Sequence, residues 1–74
     1  MCKVDIKKEV GNRLKEARKS LGYTQAKIAQ LLNMTQQQYS RFENGKFELN
    51  YAQIIFLCKK YDISADYLLG LTDY

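Results

Sequence analysis

The chain has 74 residues, 46% hydrophobic and 27% charged, with two cysteines and no histidine or proline. A chain of this length buries only about 60 to 65% of its unfolded surface, which allows one core and no deep substrate cavity. Net charge is +4 but unevenly placed, with ten Lys/Arg against four Asp/Glu over residues 1–46 and two against four over residues 47–74, so one end is basic and suits a polyanion.

The first periodic segment runs from about Ile6 to Leu21, with Val10, Leu14, Ala17 and Leu21 at spacings of four, three and four. That spacing is an amphipathic helix; Asp5 is its expected N-cap and Gly22 stands where a left-handed C-terminal residue is usual. Thr24 opens a second helix, TQAKIAQLLN, expected to turn Ile28, Leu31 and Leu32 inward, with Ala29 allowing another helix to approach and Asn33 ending it. Thr35 caps a third helix after a turn of about three residues, which is helix-turn-helix spacing.

The third helix, TQQQYSRFENGK, winds at about 100° per residue, which places Tyr39 and Phe42 roughly 60° apart and spreads Gln36, Gln37, Ser40, Arg41 and Asn44 across the opposite side. Solvated helix faces are usually rich in Lys and Glu. Amides and a guanidinium instead offer paired, planar hydrogen-bonding geometry, suited to reading another molecule's donors and acceptors. Asn44 and Gly45 stop this helix, and KFELN is a loop.

Asn50 is expected to cap a fourth helix with Ile54, Leu57, Cys58 and Tyr61 as its inner stripe. Ile55 and Phe56 are apolar residues off that stripe. Ser64 starts a short fifth helix, with Leu68 and Leu69 packing inward and Gly70 closing it. The expected architecture is all-α, five helices in a single domain over residues 1–74, with no strand signal.

Over residues 21–46, LGYTQAKIAQLLNMTQQQYSRFENGK, the sequence resembles the helix-turn-helix domains of lambdoid phage repressors and Cro proteins, the Xre/Cro/cI-like family. FLCKKYDISADYLLGLTD matches that family's fourth and fifth helices, so the resemblance covers about residues 8 to 72. Specificity lies in the combination: LG before a TQ helix start, IA within that helix, then a polar helix ending in ENGK.

The resemblance implies a lambda-repressor-like fold and roles for particular residues. Gln36, Gln37 and Arg41 stand at positions that read base edges in the major groove, flanked by Gln38 and Ser40. A glutamine amide pairs with adenine N6 and N7, and an arginine with guanine O6 and N7. Gln25 resembles the family's phosphate-clamping glutamine at a helix N-terminus, with Thr24 and Lys27 beside it and Asn44 and Lys46 holding phosphates past the reading helix. Arg18 and Glu43 resemble a structural ion pair. Departures are the lack of the proline many relatives have near Leu49, and Phe56 where a polar residue is common.

A sequence-specific regulator of transcription, a repressor acting as a homodimer on double-stranded DNA, is the function this implies, with Phe56, Leu71 and Tyr74 as dimer contacts. The alternative is an antitoxin or antirepressor-like module that binds a protein through helices four and five, where Phe56, Ile55 and Tyr67 would matter more. No catalytic constellation, cofactor motif or metal-ligand spacing is present, so no enzyme and no small-molecule ligand is expected. Cys58 reads as a small core residue and Cys2 as exposed. No apolar run approaches the roughly 18 residues of a membrane span and the start, MCKVDIKKEV, lacks a secretory apolar stretch, so a soluble cytoplasmic protein is expected.

Overall fold

The computed structural model describes residues 5–71, which form five helices: α1 (Ile6–Ser20), α2 (Gln25–Leu31), α3 (Gln36–Glu43), α4 (Tyr51–Tyr61) and α5 (Ala65–Leu68). Cys2 and Tyr74 lie outside the described residues. Among the described residues there is no strand, and no helix is long and apolar enough to cross a membrane.

Local chemistry sets the ends of each helix. Asp5, Thr24, Thr35, Asn50 and Ser64 are the N-caps, each accepting from a backbone N–H three residues on. Each helix closes on a residue with positive φ: Gly22, Asn33, Gly45, Asp62 and Gly70. At the end of α3 the Lys46 N–H donates to the Arg41 carbonyl (2.8 Å) and the Gly45 N–H to that of Phe42 (3.2 Å), a Schellman closure.

The core joins Leu14 of α1, Ile28 and Ala29 of α2, Tyr39 of α3, Leu57 and Tyr61 of α4 and Leu68 of α5. Within it the Tyr39 and Tyr61 hydroxyls share a buried 2.7 Å hydrogen bond that ties α3 to α4. The Tyr61 ring also stacks on Tyr23, centroids 6.3 Å apart, and the Lys60 ammonium lies over the other aromatic at 5.0 Å.

Gly11 is buried where α1 crosses the end of α3. A Cβ there would fall 2.4 Å from the Glu43 carbonyl oxygen and 2.5 Å from that of Phe42, so only glycine permits this crossing. Gly45 is doubly constrained, since its φ is +74° and a Cβ would lie 2.7 Å from the Lys8 Cα. These two contacts seat the C-terminal end of α3 on the first half of α1.

Three expected inward leucines are exposed instead: Leu21, Leu31 and Leu69. Each sits at the last turn or C-cap of its helix, at the edge of the core rather than within it. Phe56 is corrected in the other direction, being half-buried against the core. The exposed large apolar residues of α4 are Tyr51 (87%) and Ile55 (56%), one turn apart, and Leu71 beyond α5 is also exposed (73%).

Candidate nucleic-acid interface

The expected reading helix begins with a reciprocal cap. Thr35 Oγ1 accepts from the Gln38 N–H at 3.1 Å, and Gln38 Oε1 accepts from the Thr35 N–H at 2.9 Å. The side-chain carbonyl of Gln38, expected beside the base readers, is folded back onto its own helix start, and Gln38 does not line the hollow formed by the other amides.

Those other groups converge. Gln25 of α2 and Gln36, Gln37, Ser40 and Arg41 of α3 line one open hollow on the outer face of the two helices. Asn44 Nδ2 donates to Ser40 Oγ at 3.3 Å at the far end of α3. Thr24 Oγ1 accepts from the Lys27 N–H at 3.1 Å, which leaves its hydroxyl hydrogen for another acceptor. Lys27 on α2 and Lys46 just past α3 are exposed cations.

Beneath the hollow lies a buried ion pair. Arg18 Nε donates to Glu43 Oε2 at 2.7 Å, Arg18 Nη2 to Glu43 Oε1 at 3.2 Å, and Arg18 Nη1 to the Tyr23 carbonyl at 2.8 Å. Glu43 is 1% exposed and Arg18 8%. Burial pushes the Glu43 carboxyl up, but hydrogen bonding from Arg18, Gln25 and Tyr39 with the Arg18 charge outweighs it and holds the group below the usual carboxylate range. The bond to Glu43 in turn raises Arg18 above the ordinary guanidinium value.

The pair reaches the surface through an amide chain. Gln25 Nε2 donates to Glu43 Oε1 at 2.9 Å, and Gln36 Nε2 donates to Gln25 Oε1 at 3.5 Å. Because an ionised carboxylate only accepts, the bond to Glu43 assigns the donor and acceptor ends of the half-buried Gln25 amide. Among the described residues no buried side-chain nitrogen or oxygen lacks a partner.

Phe47 lies in what the sequence marks only as a loop, yet it is part of this neighbourhood. The Arg41 guanidinium carbon is 5.6 Å from the centre of its ring, which meets Phe42 edge-on at 6.5 Å and 67°. An aromatic residue one position past the Gly-Lys helix stop was the available signal. Tyr67, named for a protein-binding role, is half-buried with the Arg13 guanidinium 5.9 Å from its ring centre. Burial raises the Cys58 thiol above its ordinary value.

Residues 11–73 match the family described as a helix-turn-helix domain. The chain is similar to the HTH-type transcriptional regulator ImmR of Bacillus subtilis strain 168, 39% identical over 61 residues covering 82% of this chain and 48% of that protein. It is likewise 39% identical over 59 residues to the SPbeta prophage-derived uncharacterized HTH-type transcriptional regulator YonR of the same organism, covering 80% of this chain and 55% of the relative. A third, the uncharacterized HTH-type transcriptional regulator YobD, is 31% identical over 61 residues, covering 82% of this chain and 54% of its own. The chain therefore spans about half the length of the curated relatives it matches. With its five-helix architecture and a family match over most of its length, the chain belongs to the helix-turn-helix domain family, of the Xre/Cro/cI-like kind that its sequence resembles.

Proposed function

We propose that the protein is a sequence-specific double-stranded DNA-binding regulator of transcription that inserts α3 into the major groove and represses as a homodimer. The observation that carries this reading is the hollow of Gln25, Gln36, Gln37, Ser40 and Arg41, which gathers amides and a guanidinium on one exposed face. Gln36, Gln37 and Arg41 read base edges, with Ser40 beside them. Gln25, Thr24, Lys27, Asn44 and Lys46 hold the phosphates. The names of ImmR, YonR and YobD as transcriptional regulators support the same class.

Three readers span a few base pairs, so two half-sites about one helical turn apart supply the rest of the affinity. Exposed Tyr51, Ile55 and Leu71 are the apolar surface offered to the second copy, in place of the half-buried Phe56.

Selection from a random duplex pool at fixed salt tests the proposal, run beside Gln37→Ala/Arg41→Ala with circular dichroism as the folding check. The expected result is an enriched inverted repeat that the folded double variant no longer enriches. No enrichment by the unaltered protein overturns it.

A further inference from the structure

Arg41 is exposed on the last turn of α3 and makes no ion pair among the described residues. A free arginine samples many rotamers, and a reader that must meet two acceptors on one base gains from being held. The group that meets it is an aromatic ring.

We infer that Phe47 is a positioning residue for Arg41, and that preference at the base pair Arg41 reads depends on the ring of Phe47. This rests on the major-groove reading proposed above. A cation–π contact uses none of the guanidinium N–H groups as hydrogen-bond donors to a charged acceptor, so they stay available to pair with guanine O6 and N7. A carboxylate partner would instead occupy those groups. The ring is thus a holder that does not compete with the base.

Phe47 itself has a defined place. The Schellman closure after α3 returns the chain beside Arg41, and Gly45 is backed by Lys8 of α1 with no room for a Cβ. Phe42 meets the ring edge-on, and the ring walls a mainly apolar cavity of about 150 Å³ with Ile6, Val10, Leu49 and Leu69. Phe47 nevertheless stays half exposed (50%), and the Arg41 guanidinium carbon lies 5.6 Å from its ring centre.

The test measures affinity of the full chain for its selected duplex and for duplexes altered at the pair where Arg41→Ala loses preference. Phe47→Leu keeps apolar packing against Phe42 but removes the ring face, and Phe47→Tyr keeps the face. Expected is a selectivity loss of about two- to fivefold at that one pair for Phe47→Leu, the size of an exposed cation–π contact. Phe47→Tyr should retain selectivity, and Phe47→Leu should have no further effect once Arg41 is alanine. Equal weakening on every duplex, or the same loss in the Arg41→Ala background, overturns the assignment of Phe47 while base reading stands. An unaltered protein that prefers no sequence overturns base reading itself, and the assignment with it.

Discussion

Gln25 donates through Nε2 to Oε1 of Glu43 at 2.9 Å, and because an ionised carboxylate only accepts, this bond determines which end of the Gln25 amide faces the interior. One N–H of that nitrogen has no partner among the described residues, and the proposed function gives it a phosphate oxygen. Gln25→Ala should weaken binding to every duplex by about tenfold or more, the scale of a hydrogen bond to a charged group. Since glutamine is neutral, the salt dependence should not change. Lys46→Ala should differ by making the negative slope of log affinity against log salt shallower by about 0.9. Fluorescence anisotropy across a salt series separates the two, and a shallower slope for Gln25→Ala would sink the neutral-clamp role.

Replacing Glu43 by Gln leaves Arg18 buried without its charge partner, and the expected cost is about 3 to 5 kcal/mol in urea unfolding. The pH dependence has a definite sign. Glu43 is held below its ordinary value in the folded protein, so its stabilisation is complete above the usual carboxylate range and is lost as pH falls through the depressed folded value. Glu43→Gln should therefore flatten the acid limb of stability against pH. A limb that stays as steep in the variant would assign acid unfolding to other carboxylates.

Gly11→Ala tests the crossing of α1 over α3. The added methyl would meet backbone carbonyls, which cannot swing aside as a side-chain tip does, so the helices must separate. A loss of about 1 to 3 kcal/mol is expected despite alanine's better helix propensity. Thermal melts followed by circular dichroism would show it, and an unchanged or higher melting temperature would refute the close contact.

Alkali should unfold the protein through the buried tyrosine pair. Burial is the main cause that raises Tyr61 from 10.0 to about 12, and it also raises Tyr39 well above the ordinary phenol value. Both folded values lie above the unfolded one, so stability is intact below about pH 10 and falls as pH rises from there towards 12. Tyrosinate absorbance should show some tyrosines titrating only with the loss of helical signal. Smooth titration of all of them in a still-folded protein would contradict the buried pair.

Helix boundaries were legible from single residues, the caps Asp5, Thr24, Thr35, Asn50 and Ser64 and the glycines after α1, α3 and α5, while the reciprocal bonds of Gln38 and Gln53 to their caps were not read from the sequence. Facing was legible mid-helix, as at Leu14, Ile28, Tyr39 and Leu57, and failed at Leu21, Leu31 and Leu69, since periodicity does not register where a neighbouring element ends. Gly11 was not legible because its role is the absence of atoms beside a distant carbonyl. In the site, the polar composition of α3 identified the face, but the same glutamine type serves two purposes: Gln36 faces the hollow while Gln38 caps the helix. The contact of Arg41 with Phe47 depends on the return of the chain after Gly45, which composition does not reveal.

The paired caps also bear on how the chain reaches its native state. Each of the five helices among the described residues carries its own start and stop, and α2 packs on α3 and α4 on α5 as neighbours in sequence, leaving chiefly the docking of α1 onto α3 and α5 as long-range order. Topologies dominated by such near-neighbour contacts complete folding in about microseconds to milliseconds. With no proline in the 74 residues, refolding also lacks the slow peptide-bond isomerisation that holds back many small proteins. A transiently melted molecule of these 74 residues would regain its helical core almost at once.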